Sequence, residues 1–387
     1  MTTVDNQRSI STLIGGICAL SLAMGFSRFG YTPIIPLMQR DIGISEWDIA
    51  MLASSNYLGY LVGAYVSRKH WIRNCLRAWL GIGLAASVIL MTAMPLTVNQ
   101  PFWIMFRLFA GFLSAILFVA TSSITLGQGR SDLAGYLYSG VGIGIALTGI
   151  FVPIFDSIGG WQASWQGLAL SGSILGIAAW YTLSKESLPI SGQEQITAQN
   201  SFVRDYKWYV LLVSYGLEGI GYIITATFIV QMIKAIPELN PIANQSWILI
   251  GLAAAPFTYL WAQIAKKTNC KVSLMLAFGF QALGIFLPVI WPAQVSTLIG
   301  GALFGGTFMG ITSLTVTLGN EMRPEAPMQA IGELTTVYAF GQIIGPVVAA
   351  YLQKSFNILA PSYFAVVILL VALLVLTTLL IHEKGEA

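Results

Sequence analysis

Charge is what this 387-residue chain has least of: Asp, Glu, Lys and Arg together make up 9% of it, against about a quarter of an ordinary soluble domain. That scarcity excludes a water-soluble globular fold. Histidine is nearly absent, with His70 in a loop and His382 at the end of the last apolar segment, so a histidine-based metal centre has no material. Of the three cysteines, Cys18 lies inside an apolar segment, and Cys75 and Cys270 lie in connections that the charge pattern assigns to the cytoplasm. Disulfides seldom persist there, so neither a disulfide nor a metal framework is expected. The glycines of Gly140-x-Gly142-x-Gly144 follow no strand and do not make a dinucleotide fingerprint. No nucleotide loop or dense cluster of nucleophiles and bases stands elsewhere, so no catalytic residue, cofactor or enzymatic role is expected.

Apolar residues fill the space that charge leaves, at 56% of the chain. A membrane-spanning helix needs about 20 mostly apolar residues. Segments of that kind lie near 12–37, 47–67, 76–95, 101–126, 133–155, 162–183, 207–231, 245–265, 272–291, 295–319, 330–353 and 361–382, which predicts twelve spans in an all-α membrane protein. Of the 19 Lys and Arg residues, only Arg28 and Arg107 fall well inside spans, and only Arg40, Lys234 and Lys354 fall at loops or span ends on one side. The others occupy loops on the side of the N-terminus. By the positive-inside rule both termini are cytoplasmic, in a multi-pass protein of the cell (inner) membrane. The net charge of +3 reflects this loop asymmetry and gives no support for nucleic-acid binding. The first span lacks a basic leader and a small-residue cleavage site, so it reads as a retained helix.

The polar stretch KESLPISGQEQITAQNSFVRD, residues 185–205, divides six spans from six. Three parts are expected: an N-terminal half over 1–184, a cytoplasmic linker over 185–205 and a C-terminal half over 206–387. The linker and tails are short, so no soluble domain is expected. The halves carry traces of a repeat. Aligning GFSRFGY (25–31) with GLEGIGY (216–222) sets Gly25 on Gly216, Gly30 on Gly221 and Tyr31 on Tyr222. Further along, ITLG (124–127) matches VTLG (316–319), Asn74-Cys75 matches Asn269-Cys270, and Gly144 matches Gly341. One chain holding both halves needs no partner to enclose a cavity, so a monomer in the lipid bilayer is expected.

Two six-helix halves related by an axis along the membrane normal are the pattern of the major facilitator fold. The whole chain resembles a major facilitator superfamily transporter, and the SRFGYTPIIPLM and SGVGIGIALTG segments resemble its YbfB/YjiJ branch. The loop GAYVSRKHWIR (63–73) is similar to the superfamily's G-x-x-x-D-R-x-G-R-R signature, with Ser67 at the acid position and His70 at a glycine position. Arg107-x-x-x-Gly111 is similar to the motif whose arginine is linked to proton coupling. The Gly-Pro pair usual in the fifth helix of antiporters is replaced by Thr148-Gly149 with Pro153 later.

Within this frame Arg28 is the most informative residue. A guanidinium left in hydrocarbon costs at least a few kcal/mol, so it persists only beside a wet cavity, a counter-ion or a bound anion. Snorkelling to the outer headgroups is the structural alternative. Glu218 lies about 16 Å into the seventh span, near the middle of a core about 30 Å thick. The repeat maps Ser27 onto Glu218, so a cation and an anion are expected to face one central cavity at similar depth. Glu218 reads either as the proton-coupling carboxyl, since removal from water favours the protonated form of an acid, or as a structural group hydrogen-bonded across helices. Arg107 reads as a second anion-binding residue or an interfacial anchor. Glu333 reads as a favourable charge in the first turn of its helix, or as a gate paired with Arg68 or Lys69. Tyr31, Tyr215 and Tyr222, with Tyr57, Tyr60 and Tyr338, sit inside spans and either line a site for a planar or amphipathic substrate or simply pack.

The resemblance implies a secondary active transporter working by alternating access on a small-molecule substrate. The residues add a proton as coupling ion and an organic anion as cargo. Proton-driven efflux of hydrophobic or cationic compounds is the alternative of opposite chemistry, and a membrane-embedded enzyme or sensor the remote one.

Overall fold

The computed structural model describes residues 3–67, 69–127, 133–186 and 205–385. Among these, every regular element is helical. That follows from the apolar composition, because backbone N–H and C=O groups facing hydrocarbon must find partners within their own segment. Eleven helices are long and apolar enough to span a membrane. They are α1 Ser9–Ile42, α2 Glu46–Val66, α3 Leu76–Leu96, α4 Gln100–Leu126, α5 Ala134–Leu183 and α6 Tyr206–Ala235. There follow α7 Asn240–Lys267, α8 Cys270–Ile290, α9 Gln294–Met322, α10 Gln329–Ser355 and α11 Ala360–Leu380.

The difference between eleven helices and the twelve predicted spans lies in α5, where the predicted segments 133–155 and 162–183 are joined into 50 residues. A straight helix of that length would run about 75 Å. It is broken at Gly159 and Gly160, and Gly160 has φ 66° and ψ −153°, a region that only glycine occupies readily. Past the break the chain folds back on itself. Gly167 packs against the ring of Phe155, and Ser164 Oγ donates to Val152 O at 3.3 Å. Asp41 Oδ2 accepts from Trp161 N at 3.1 Å, which caps the returning arm. Arg40 holds both Asp41 and Asp156 at 2.6 and 2.7 Å.

Two pairs of helices approach through glycine. A Cβ on Gly144 of α5 would lie 2.8 Å from Gly25 Cα of α1, and a Cβ on Gly341 of α10 would strike Gly216 O of α6. Without side chains at these points the backbones can close on each other. The two contacts join residues that the sequence repeat aligns, Gly25 with Gly216 and Gly144 with Gly341. Helix α2 packs on α10, α5 on α7, and the C-terminal part of α1 on α6. These contacts tie the helices before residue 185 to those after 205.

Helix α1 is not uniform. Residues Ser21–Phe29 are wound as a π-helix, with every side chain buried, before α-helical winding resumes at Tyr31. Such wide turns are commonly found at functional sites.

Candidate functional site

The π-wound segment carries Arg28 to the wall of a cavity of about 410 Å³, enclosed by α1, α2, α4, α5, α6, α7, α9 and α10. That volume suits a small organic molecule. Arg28 is 4% exposed. Its Nη2 donates to Gln342 Oε1 of α10 at 3.2 Å. Its guanidinium carbon stands 4.0 Å from the ring centroid of Tyr60 and 5.1 Å from that of Tyr57, close enough for cation–π attraction. Among the described residues no carboxylate pairs with it, and its Nε has no hydrogen-bond partner. A guanidinium carries five N–H donors, so this one is under-satisfied for a buried cation.

Aromatic rings line the cavity on two sides. Tyr215 of α6 stacks on Tyr338 of α10 at 4.5 Å and 12°, and Tyr222 of α6 adds Tyr338 at 6.2 Å and Phe308 of α9 at 5.3 Å. On the other side Phe118 of α4 and Tyr138 of α5 stack at 5.3 Å and 6°. Tyr60, Phe118, Tyr138 and Tyr338 are half-buried and present surface to the space. Thr312, Ser313, Thr317 and Thr335 supply hydroxyls toward the end marked by the C-terminus of α9 and the start of α10.

The opposite end is crossed by hydrogen bonds. Thr32 Oγ1 of α1 donates to Ala226 O of α6 at 2.9 Å, and Ser54 Oγ of α2 donates to Ile343 O of α10 at 2.7 Å. Tyr57 OH and Thr227 Oγ1 lie 3.4 Å apart. The cavity thus extends toward the face bearing Lys69, Lys266, Lys267 and Arg323, and is closed toward the other.

Not every residue singled out from the sequence comes to this cavity. Arg28, Tyr215 and Tyr222 line it. Glu218 does not: it is fully buried behind the wall, where its Oε1 accepts from Gln281 Nε2 of α8 at 3.2 Å. The helical screw explains the difference, since Glu218 is turned about 50° around α6 from Tyr215 and Tyr222. The expectation that Arg28 and Glu218 face one common space is therefore corrected.

Arg107 and Tyr31 also lie outside the lining. Arg107, 3% exposed, donates from Nη1 to Ser27 O at 2.8 Å and from Nη2 to Arg28 O at 3.0 Å. Its guanidinium rests over the Tyr31 ring at 4.8 Å, and the Tyr31 hydroxyl reaches Ile49 O at 3.4 Å. Where a π-helix returns to α-helical winding its carbonyls lose regular partners, and Arg107 supplies donors to two of them. It holds the segment that aims Arg28.

Glu333 sits in the second turn of α10, where Oε2 accepts from Trp208 Nε1 at 2.9 Å and Oε1 from Gln329 Nε2 at 3.1 Å. Lys69 Nζ stands 5.0 Å from the centroid of Tyr65, at the end of its own helix. Arg68 falls outside the described residues.

Gln342, Gln281, Phe118 and its stacking partner Tyr138 escaped the sequence reading. Gln342 and Gln281 are neutral amides in apolar helices, a type with no pattern of its own. Phe118 is one phenylalanine among 20. Polarity inside a span is the signal that marks the two glutamines, because a buried amide needs a partner.

The sequence profile of the family described as "Uncharacterised MFS-type transporter YbfB" matches residues 20–380. Among solved structures, a point mutant of the nucleoside transporter NupG superposes with a TM-score of 0.74 at 13% identity, covering 95% of this chain and 99% of that one. A second NupG structure gives 0.71 at 14% identity, covering 94% and 98%. At such identities the likeness concerns the fold alone. No protein of curated function matches the sequence.

Proposed function

The chain belongs to the family of the MFS-type transporter YbfB, within the major facilitator superfamily, and from that premise we propose that it carries a small organic anion by proton-coupled alternating access. The observation that carries the anion is Arg28, a buried cation with no acidic partner among the described residues, on the wall of a ligand-sized cavity. A cation kept on a cavity wall without a counter-ion is complementary to an anionic ligand entering that space. The fold neighbours are named for nucleosides, which are uncharged at neutral pH and would leave Arg28 unpaired. Cationic cargo fits less well still, since no described lining residue is acidic.

In this reading the chain has twelve spans in two halves, 1–184 and 206–387, joined by a cytoplasmic linker over 185–205. The break at Gly159 and Gly160 and the paired glycine contacts support it. With the basic face cytoplasmic, the cavity is open inward and the hydrogen bonds at Thr32, Ser54 and Tyr57 close the outer side. Cysteine placed at position 195 and labelled by an impermeant reagent from outside intact cells would reverse that orientation. Glu218 is the proton-binding group, buried beside the cavity wall on the helix that carries Tyr215 and Tyr222.

Reconstitution in liposomes with an imposed pH gradient tests the proposal, with organic anions, organic cations and nucleosides as solutes. Gradient-driven, saturable uptake of an anion is expected. Arg28→Lys should impair it, because a point charge cannot reproduce the planar fork, and Arg28→Ala should impair it further. Anion transport at wild-type rates by a folded Arg28→Ala protein would remove the basis of the reading.

A further inference from the structure

We propose that the cavity selects an aromatic monocarboxylate, its carboxylate held by Arg28 and its ring against the tyrosines of α6 and α10; this rests on the organic-anion reading above. Charge sets the first half of the argument. Arg28 is the one cation among the described lining residues, which include no second Lys, Arg or His. A phosphate monoester carries about −1.5 to −2 at neutral pH and would bring an unpaired charge into a site of low dielectric. A carboxylate brings one charge, which one guanidinium matches through charge-assisted hydrogen bonds. Gln342 Oε1 takes one of its five N–H donors and leaves the fork otherwise unspent.

The second half comes from the walls. Tyr215, Tyr338 and Tyr222 form a run of nearly parallel rings, and Phe118 with Tyr138 forms a second parallel pair across the cavity. An aliphatic chain would find these walls apolar but could not use their quadrupoles. A flat ring can meet them edge-to-face or in offset stacks, each such pair being worth about two- to twelve-fold in affinity. The spacing fits one molecule. Arg28 Nη2 is fixed 3.2 Å from Gln342 Oε1, and Gln342 stands one turn beyond Tyr338 on α10, about 6 Å along the axis. A carboxylate on Arg28 and a ring at Tyr338 therefore lie within the reach of one small molecule.

The test is calorimetric titration of the full-length protein in nanodiscs with 3-phenylpropanoate, 3-cyclohexylpropanoate, 3-phenylpropanol and phenyl phosphate. The phenyl acid is expected to bind at least five-fold tighter than the cyclohexyl acid, and at least ten-fold tighter than the alcohol or the phosphate. Arg28→Gln should abolish the preference for acid over alcohol. Tyr338→Leu should abolish the preference for phenyl over cyclohexyl while keeping that for acid over alcohol; Tyr222→Leu serves the same purpose if Tyr338→Leu does not fold. Equal binding of phenyl and cyclohexyl acids, still dependent on Arg28, overturns the aromatic inference and leaves the anion reading standing. Tighter binding of phenyl phosphate overturns the single-charge argument. Equal binding of acid and alcohol, or no binding of either acid at millimolar concentration, overturns both.

Discussion

Glu218 Oε1 accepts a hydrogen bond from Gln281 Nε2 at 3.2 Å, while the remaining oxygens of the two groups, Glu218 Oε2 and Gln281 Oε1, are buried without partners. Two acceptor oxygens are left buried without a donor directed at them. A proton on Glu218 Oε2 supplies the missing donor, so the protonated acid and the amide have complementary groups and the carboxylate and the amide do not. Gln281 is thus the contact between Glu218 and α8 that a change of protonation would alter.

Glu218→Gln fixes a neutral, amide form of this pair. In a proton-coupled cycle it should abolish accumulation driven by a pH gradient and leave binding and exchange of substrate intact. A carboxyl with a purely structural role is well imitated by Gln, so gradient-driven accumulation at wild-type levels would sink the coupling role. Gln281→Leu removes the donor to Glu218 and should cost about 1–3 kcal/mol of stability, read as a lower melting temperature in detergent.

Arg107→Ala removes the donors to Ser27 O and Arg28 O. Each buried acceptor left unmet costs about 1–3 kcal/mol, so the melting temperature should fall clearly, with loss of substrate affinity as a consequence of a misplaced Arg28. Arg107→Lys should recover part of the stability. Lost binding with an unchanged melting temperature would instead make Arg107 a direct ligand.

Gly144→Ala and Gly341→Ala place a methyl group against Gly25 and Gly216 respectively. Overpacking of this kind costs about 1–3 kcal/mol, and the two variants should be destabilised to a similar degree. If one melts like wild type and the other does not, the two contacts are not equivalents.

Glu333→Gln keeps an acceptor for Trp208 and removes the charge. If Glu333 also latches the halves through Lys69, the exposed pair is worth about 1 kcal/mol or less, and distance measurements across the basic face should show more inward-facing protein. An unchanged distribution leaves Glu333 as the anchor between α10 and α6.

The legible part of this protein lies in one-dimensional features. Apolar runs mark the helices, and a charge inside such a run marks Arg28 whatever the neighbours are. The repeat of glycines marks equivalent positions, and the structure makes the same close approach at Gly25 with Gly144 and at Gly216 with Gly341 without the sequence saying which backbones touch. Direction around a helix is harder to read. Tyr215, Glu218 and Tyr222 share a face by simple spacing, yet about 50° of rotation separates residues on the cavity from one behind it. The role of Arg107 depends on π-winding in another helix, and nothing in SLAMGFSRF spells that out. Likewise the sequence divides 133–155 from 162–183, but does not spell out that helical winding continues on both sides of so short a break at Gly159 and Gly160.

Among the described residues Arg28 pairs with no carboxylate, so in the proposed cycle the net charge of the carrier is set by Glu218 and the bound anion. An empty site with Glu218 protonated carries one net positive charge, and a monoanion cancels it. Carrying a full elementary charge across the membrane field changes the free energy by about 2.3 kcal/mol per 100 mV. In the proposed cycle the loaded, protonated form is neutral, and the empty form that returns after releasing its proton, with Arg28 and Glu218 both charged, is neutral as well. Uptake and exchange should then both be indifferent to an imposed potential, while an empty carrier that returns with Glu218 still protonated would respond by that amount.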